Sequence, residues 1–505
     1  MYSTKSTLFL VLSLLFCLQS NATDYYVSNS GNNANNGLTL ATAFLTLQHA
    51  SNLVSAGDTV YVVDGTYAGF DVRDVNGTST NPITFIAIGD NAIINQRGPI
   101  RNDCINIENS DYIIIDGFKV NDAPGNGNGI RVVLSDFCII RNNFCNNNAE
   151  RGIFTGFTDD IIIEHNICAN SIDEHGIYVS NSSDRPIIRY NECYGNNNIG
   201  IHMNADRFSG GDGIISDAQI YGNIIHDNNL AAGINMDGLE NPEVYNNLIY
   251  NNHSAQGIAL FQIDGAIVTN GAKIYNNTII VPSDGRWGIL LQDGANVNTE
   301  IYNNIIINEH AWRGCISAES TTQLTSNYNI LNNKMSYSGD GSVTSLSDWQ
   351  TQGLDANSQI ANSLSQIFED NNTNNFHLAE NSQAIDAGTN AVNTVVIDDL
   401  ENEPRPNGSG FDIGSYEYNA SLSIITEEYT SFSIFPNPTS NKIYFDSTLN
   451  LETIATIMLT TIKGQTIKSF EPSHVLNISN LSSGLYLLHI SLKNKNHITK
   501  KVLIK

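Results

Sequence analysis

A short alternation of apolar and polar residues recurs along the middle of the chain. Each copy starts with glycine and an apolar residue, as in GIYVSN at Gly176, GIHMNA at Gly200 and GINMDG at Gly233. Successive glycines of this phrase lie 23 to 33 residues apart, from Gly129 to Gly314. The alternation predicts strands with one buried side, and the short period predicts a solenoid in which equivalent strands stack into parallel sheets.

A second phrase, of the form IIRNN or KIYNN, ends at an asparagine 9 to 11 residues before each glycine. Two places after three of these asparagines stand Cys145, Cys168 and Cys193, and later copies have isoleucine there. A column of only Cys and Ile predicts an interior stack of buried thiols, not disulfides or metal ligands. The asparagines themselves are predicted to be structural, each amide bonding its neighbour one turn away.

The outward side of the glycine strands changes character along the chain. Residues two and four places after each glycine are predicted to face outward, and they are most polar over three consecutive turns. These polar outward residues are Tyr178, His202, Asn204, Asn235 and Asp237. Two longer turns add residues at about 205–215 and 262–272 just after the polar strands. Stacked turns would therefore form a groove that suits an extended chain, walled by these insertions and by the turns before the strands.

The composition narrows the possible partners. Charged residues make up 15% of the 505 residues, and the net charge of −27 disfavours nucleic acid or an anionic membrane surface as a partner. A basic residue followed by an apolar run predicts a signal peptide removed near residue 22. No later segment is long and apolar enough to span a bilayer, so we expect the mature chain to be exported and soluble. We also expect it to be a monomer.

Three segments outside the repeat also carry a resemblance to known proteins. They are the opening YYVSNSGNNANNGLTLATAFLTLQHASNLVSAGDTVYVVDGTY and the later FHLAENSQAIDAG and FDIGSYEY. A helix is expected in the opening segment, at about 44–55. Together with the repeat, they resemble the right-handed parallel β-helix of secreted polysaccharide lyases and related carbohydrate-active proteins, over about residues 24–345. The resemblance implies an all-β chain: a right-handed parallel β-helix with an N-terminal capping helix, followed by a small C-terminal β-sandwich.

The last residues carry a second resemblance. SIFPNPTSNKIYF and GLYLLHI are similar to the type A sorting domain of the type IX secretion system. This implies a Bacteroidetes-type bacterium, the type IX machinery as partner, and release or cell-surface attachment after export across the outer membrane. The predicted organisation is a signal peptide at 1–22, a β-helix at 23–418, a linker at 419–430 and a sorting domain at 431–505. Clear turns are expected at about 58–345, and a closing segment at 346–418.

The groove residues suit acid–base chemistry on an acidic polysaccharide. Cleaving a uronate chain by β-elimination needs a neutralised carboxylate, a base for the C5 proton and an acid for the leaving oxygen. His202 and Tyr178 are predicted as base and acid, with His175 as a rival, and an arginine or Ca²⁺ would neutralise the carboxylate. The predicted catalytic residues are His202, Tyr178, His175, Asp237 and Arg207. The predicted substrate-binding residues are Asn204, Asn235, Glu174, Arg286, Trp287 and Gln262, and the predicted calcium ligands are Asp206, Asp237 and Asn204.

Three alternatives remain open. A glycoside hydrolase would need two carboxylates, such as Asp206 with Asp237, Asp237 with Asp264, or Glu174. DEHGI at 173–177 loosely matches a motif of mannuronan epimerases, which share the first half of the elimination chemistry. A solenoid that binds glycans without catalysis would also carry a polar outward column.

Overall fold

The computed structural model describes residues 22–292, 294–339, 342–419, 433–445, 451–461, 464–493 and 497–505. Nearly all of the predicted signal peptide and linker lie outside these ranges. The predicted all-β parallel solenoid with a small antiparallel C-terminal unit is confirmed.

The central turns of the solenoid each contribute one strand to each of three parallel faces. The strands of face A are Asp24–Val27, Thr59–Tyr67, Ile83–Ile94, Ile113–Asp116, Ile139–Arg141, Ile162–Glu164, Ile187–Arg189, Gln219–Tyr221, Glu243–Tyr245, Lys273–Tyr275, Thr299–Tyr302 and Leu324–Asn327. Thr59–Tyr67 and Ile83–Ile94 continue into face B. The other strands of face B are Lys119–Asn121, Phe144–Asn146, Ile167–Ala169, Glu192–Tyr194, Ile224–His226, Leu248–Tyr250, Thr278–Val281, Ile305–Asn308, Ile330–Leu331 and Gln359–Ile360. The strands of face C are Phe70–Arg73, Ile105–Glu108, Ile130–Val133, Ile153–Gly156, Ile177–Ser180, Ile201–Asn204, Ala231–Asp237, Ala255–Phe261, Ile289–Leu291 and Ile316–Ala318.

The predicted asparagine column forms the bend between faces A and B. Asn166 donates its amide hydrogen to Asn191 Oδ1 at 3.0 Å, and Asn191 does the same to Asn223 at 3.1 Å. The residue before each of these asparagines has positive φ, for example His165 at 54° and Tyr190 at 54°. The side-chain ladder supports this strained bend by occupying the amide groups that the turn leaves unpaired.

The cysteine column and the glycine column explain the rest of the repeat. Cys145, Cys168 and Cys193 are fully buried, unpaired and in register, which confirms the interior stack. At Gly176, where face C begins, a Cβ would lie 2.8 Å from the carbonyl oxygen of Gly200 on the next turn. Glycine therefore recurs because neighbouring turns approach too closely for a side chain.

Short elements close the ends of the solenoid. The N-terminal helix covers Leu47–Ser51, fewer residues than predicted, and a 3₁₀ turn at Leu40–Thr42 precedes it. Beyond the last turn come helices Leu346–Gln350 and Leu364–Ile367 and the antiparallel pair Phe368–Asp370 and Asn375–Leu378. Further 3₁₀ turns are Asn371–Thr373 and Asn390–Val392 after the last turn and Leu451–Thr453 in the C-terminal unit. In the middle of the solenoid, Ile215–Ser216 pairs with Leu239–Glu240 at the corner after face C.

The C-terminal unit consists of two antiparallel sheets around one apolar core. The first sheet contains Ile434–Phe435, Lys442–Phe445 and Val475–Asn477. The second contains Ile454–Thr461, Thr466–Phe470, Gly484–Leu492 and His497–Ile504. Leu485 and Leu503 of this unit pack against Tyr26, Tyr61 and Ile88 on the first turns of the solenoid.

Candidate active site

The polar outward column of face C assembles as a stack of side chains. Tyr178 is in register with His202, and His202 with Asn235. The rings of Tyr178 and His202 stack with centroids 4.6 Å apart and an interplanar angle of 13°. Both are partly exposed, because residues of face C alternate between the core and the outer side. The structure thus brings together residues that lie 24 and 33 positions apart in sequence.

His175 lies beneath this stack, just before the strand Ile177–Ser180, and Glu174 lies beside it. His175 is 4% exposed, and its Nε2 lies 2.9 Å from both His202 Nδ1 and Glu174 Oε2. The backbone N–H of Ile199 donates to His175 Nδ1 at 3.2 Å. The prediction of His175 as a catalytic residue is therefore corrected, because both ring nitrogens are occupied and the ring is buried.

Arg151 also contacts this cluster. Its guanidinium lies 4.8 Å from the ring centroid of Tyr178 and forms ion pairs with Glu174 at 3.2 Å and Glu150 at 3.4 Å. Arg151 belongs to the turns expected to wall the groove, but no catalytic or binding role was predicted for it. The signal was available, since Arg151 precedes Gly152 as His175 precedes Gly176, so the two occupy equivalent places on neighbouring turns.

The two histidines and Tyr178 are shifted toward their neutral forms, whereas Glu174 is shifted toward its ionised form. Burial lowers the pKa of His202 well below its usual value, and the charges of His175 and Arg151 lower it further. Burial also lowers the pKa of His175, against the opposing effect of Glu174. Burial raises the pKa of Tyr178, whereas the hydrogen bond to His175 lowers the pKa of Glu174. At neutral pH both imidazoles and the phenol are uncharged, and Glu174 is ionised.

The two insertions meet beside the stack and form one wall. Asn204 Nδ2 donates to the Tyr178 hydroxyl oxygen at 3.3 Å and to Asp264 Oδ2 at 3.2 Å. The backbone N–H of Arg207 donates to the Asp264 carbonyl at 3.1 Å, and Arg207 Nη1 donates to the Gly265 carbonyl at 3.1 Å. Asp264, which the sequence suggested only as part of a hydrolase pair, thus lies within reach of the same amide as Tyr178.

Asp237 has a structural role that differs from the prediction. Its carboxylate is 2% exposed and accepts backbone hydrogen bonds from Ile263, Asp264 and Gly265 at 2.8 to 3.2 Å. The predictions of Asp237 as a catalytic residue and as a calcium ligand are corrected, because the loop already occupies its oxygens.

The predicted calcium site does not form an open cavity of oxygens. Asp237 is occupied as described, and Asp206 accepts hydrogen bonds from Phe208 N and Ser209 Oγ of its own loop. Within the described ranges, no group of three or more His, Cys, Asp or Glu side chains is arranged to hold a metal ion. Of the three predicted ligands, Asn204 alone has a buried oxygen without a hydrogen-bond partner, and one amide oxygen does not make a calcium site. No step is therefore assigned to the ion.

The remaining predicted substrate-binding residues lie at different distances from the stack. Asn235 is 4% exposed at the floor, and Gln262 donates to the Gly265 carbonyl at 3.1 Å in the wall. Arg286 is exposed but lies three turns beyond His202, about 14 Å along the axis. The prediction that Trp287 lines the other wall is corrected: it is 1% exposed and packs against Ala232, Ala259 and Leu290.

Comparisons with known proteins agree with this architecture. Residues 433–505 match the family described as the secretion system C-terminal sorting domain. Residues 51–259 match the family described as periplasmic copper-binding protein (NosD). No curated protein sequence matches the chain.

Among solved structures, pectate lyase Pel9A is 16% identical, with a TM-score of 0.53 over 79% of this chain and 97% of its own. A rhamnogalacturonan lyase is 14% identical, with a TM-score of 0.41 over 56% of this chain and 82% of its own. An alginate lyase from Paenibacillus sp. str. FPU-7 is 17% identical, with a TM-score of 0.40 over 53% of this chain and 93% of its own. The similarity to Pel9A shows the β-helix fold.

The sorting domain gives the destination of the protein. It directs the chain through type IX secretion, to release or to attachment at the cell surface. The α-helices of the described residues have at most five residues, too few to cross a bilayer.

Proposed function

We propose that the protein is a secreted enzyme that cleaves an acidic, uronate-containing polysaccharide by β-elimination in the groove of face C. The observation that carries the proposal is the junction of Tyr178, Asn204 and Asp264 beside the stacked ring of His202. It combines a neutral phenol, a carboxylate and an imidazole on the outer side of face C, beside the wall that the two insertions form. The fold is one that pectate lyase Pel9A also uses.

The chemistry can be assigned to these groups. The C5 proton of the uronate passes to a base, and the electron pair of the broken C5–H bond forms the C4–C5 double bond. The C4–O4 bond breaks, and its electron pair leaves with the oxygen. The neutral phenol of Tyr178 protonates the leaving oxygen. The base is either His202, as the sequence predicts, or the carboxylate of Asp264. Arg207 is exposed and has no carboxylate partner in the described part of the chain, so it is the candidate to pair with the uronate carboxylate.

The structure offers less support for hydrolysis. Asp237 cannot serve in either predicted pair, with Asp206 or with Asp264. Its oxygens accept three backbone N–H groups and are shielded from solvent. Glu174, the other carboxylate suggested for hydrolysis, is paired with Arg151 and His175. We therefore place elimination ahead of hydrolysis.

The test is product analysis with alginate, pectate and glycosaminoglycans as substrates. Elimination creates a double bond conjugated to the carboxylate, so ultraviolet absorbance should rise with each cleavage. New reducing ends without this absorbance would show hydrolysis instead. No change in any glycan of the panel would overturn the proposed activity.

Matched variants assign the activity to the groove. Tyr178→Phe keeps the stacked ring and removes the hydroxyl, so turnover should fall by about 10²–10⁴. The control is Tyr194→Phe, since Tyr194 stacks on His226 at 5.1 Å on face B, away from the groove. Equal activity of Tyr178→Phe and the control would exclude Tyr178 as the acid.

A further inference from the structure

The hydrogen bonds beneath the stack determine the tautomer of His175. Its Nδ1 accepts the backbone N–H of Ile199, so this nitrogen carries no hydrogen. A neutral imidazole has one N–H and one acceptor nitrogen. His175, which is buried and neutral, therefore carries its hydrogen on Nε2.

The tautomer of His202 follows from that of His175. His175 Nε2 and His202 Nδ1 are 2.9 Å apart, and a nitrogen that bears a hydrogen in a neutral imidazole cannot accept another. His202 Nδ1 must be the acceptor, which leaves the hydrogen of His202 on Nε2. This atom has no protein partner among the described residues and is not one of their buried unpartnered atoms, so its N–H faces the groove.

A second proton on His202 is disfavoured by the same geometry. It would reside on Nδ1 and point at the Nε2–H of His175, and no acceptor would be left between the two rings. Glu174, which Arg151 holds in place, accepts from the same His175 nitrogen but cannot reverse its tautomer, because Ile199 N–H still occupies Nδ1.

We propose that His202 acts as a permanently neutral N–H donor to an oxygen of the bound uronate, with His175 and Glu174 as the residues that position it. This inference rests on the proposed elimination and refines it, because a nitrogen that already bears hydrogen cannot take the C5 proton. The base is then Asp264, and Tyr178 gives a proton to the leaving oxygen. The Nε2–H of His202 stabilises the negative charge that spreads onto the uronate carboxylate, and no proton leaves it.

The direct test is a long-range proton–nitrogen NMR spectrum of the full chain labelled with nitrogen-15 histidine. The chain has 11 histidines, and the signals of His202 and His175 can be assigned by single His→Gln variants. At neutral pH, His202 should show a protonated Nε2 and a bare Nδ1. A protonated Nδ1 with a bare Nε2 would overturn the proposal, and this measurement on the wild-type chain needs no substrate.

The second test removes the positioning residue. In His175→Gln the side-chain carbonyl can accept from His202 Nδ1–H, so the titration midpoint of His202 should rise by at least about one pH unit. The exposed His165, which stacks on Tyr190 at the bend between faces A and B, gives the matched control His165→Gln, with no change at His202. An unchanged His202 midpoint in folded His175→Gln would overturn the positioning role.

Kinetics separate this inference from the proposed function. If the enzyme is a lyase, kcat of His175→Gln should fall by about 10²–10³ with little change in KM, and kcat should gain a new dependence on pH. Cleavage with Nδ1 of His202 protonated would keep the lyase and refute the donor role. The expected tautomer without cleavage of any glycan would refute the lyase and leave His202 as an N–H donor in the groove.

Discussion

The carboxylate of Asp237 holds the loop that carries Asp264. It accepts three backbone N–H groups from residues 263–265. We expect Asp237→Ala to lower the free energy of unfolding by about 1–3 kcal/mol, because these buried donors lose their partner. Turnover should fall as well, since Asp264 would no longer be fixed beside Asn204.

Urea unfolding and amide hydrogen exchange at residues 263–265 would measure this effect. Asp212→Asn is a suitable control, because Asp212 is exposed and accepts only the N–H of Ile214 in the other insertion. Unchanged exchange in Asp237→Ala would mean that the carboxylate does not support the loop.

His175 and His202 predict how the free energy of unfolding depends on pH. The pKa values of His175 and His202 are lowered in the folded chain, whereas unfolded histidine titrates near 6.5. Their contribution to the free energy of unfolding is therefore complete above the pKa of the unfolded chain. It is lost as the pH falls below that pKa, because only the unfolded chain then binds the protons. His226 and His377, whose pKa values are raised by carboxylate partners, act in the opposite direction.

The comparison of wild type with His202→Asn isolates this contribution. Between about pH 7.5 and pH 5, wild type should lose more stability than the variant, by up to about 1.4 kcal/mol per pH unit. Urea midpoints at several pH values would measure the difference. Parallel curves for the two proteins would show that His202 is not held neutral by the fold.

At the scale of the repeating element, the asparagine ladder joins turns through buried amides. Asn223 Nδ2 donates to Asn247 Oδ1 at 3.0 Å, and its own Oδ1 accepts from the backbone and side chain of Asn191. We expect Asn223→Ala to cost about 2–4 kcal/mol, because Asn191 is left with unpaired buried donors. The exposed Asn229 supplies the control Asn229→Ala, with a change within about 0.5 kcal/mol. Equal thermal midpoints for both variants would contradict the ladder.

The sequence could predict the columns because both periods of the repeat are visible in it. Alternation along a strand assigns each side chain to the core or the outside, and the turn length sets which residues stack, as with Tyr178, His202 and Asn235. The turns before the strands follow neither rule. Neither period therefore indicates that His175 and Trp287 are buried, or that the loop after Asp237 folds back onto its carboxylate.

At the scale of the whole molecule, the closing segment covers the last turns. Phe368 and Phe376 pack on face B, and Val392 and Phe411 pack on face A. Arg405 and Glu417 form an ion pair at 2.6 Å with fully buried side chains, which fixes the chain as it passes over these faces. This cover buries apolar side chains on the outer sides of faces A and B, and these contacts lie away from the strands of face C.

The sorting unit and the groove are built from separate parts of the chain, and this separation can be tested. The unit has its own core and contacts the first turns through Leu485 and Leu503, with Lys501 3.4 Å from Asp116. The groove uses residues 151–265, which belong to later turns.

A chain ending at residue 418 should therefore fold and keep full glycan turnover. It should also bind more of a hydrophobic dye, because Tyr26, Tyr61 and Ile88 lose their cover. The truncated chain should not be exported from the cells that produce it, because it lacks the sorting domain. Loss of turnover in a folded truncated chain would mean that the sorting unit shapes the groove, contrary to the independence of the two cores.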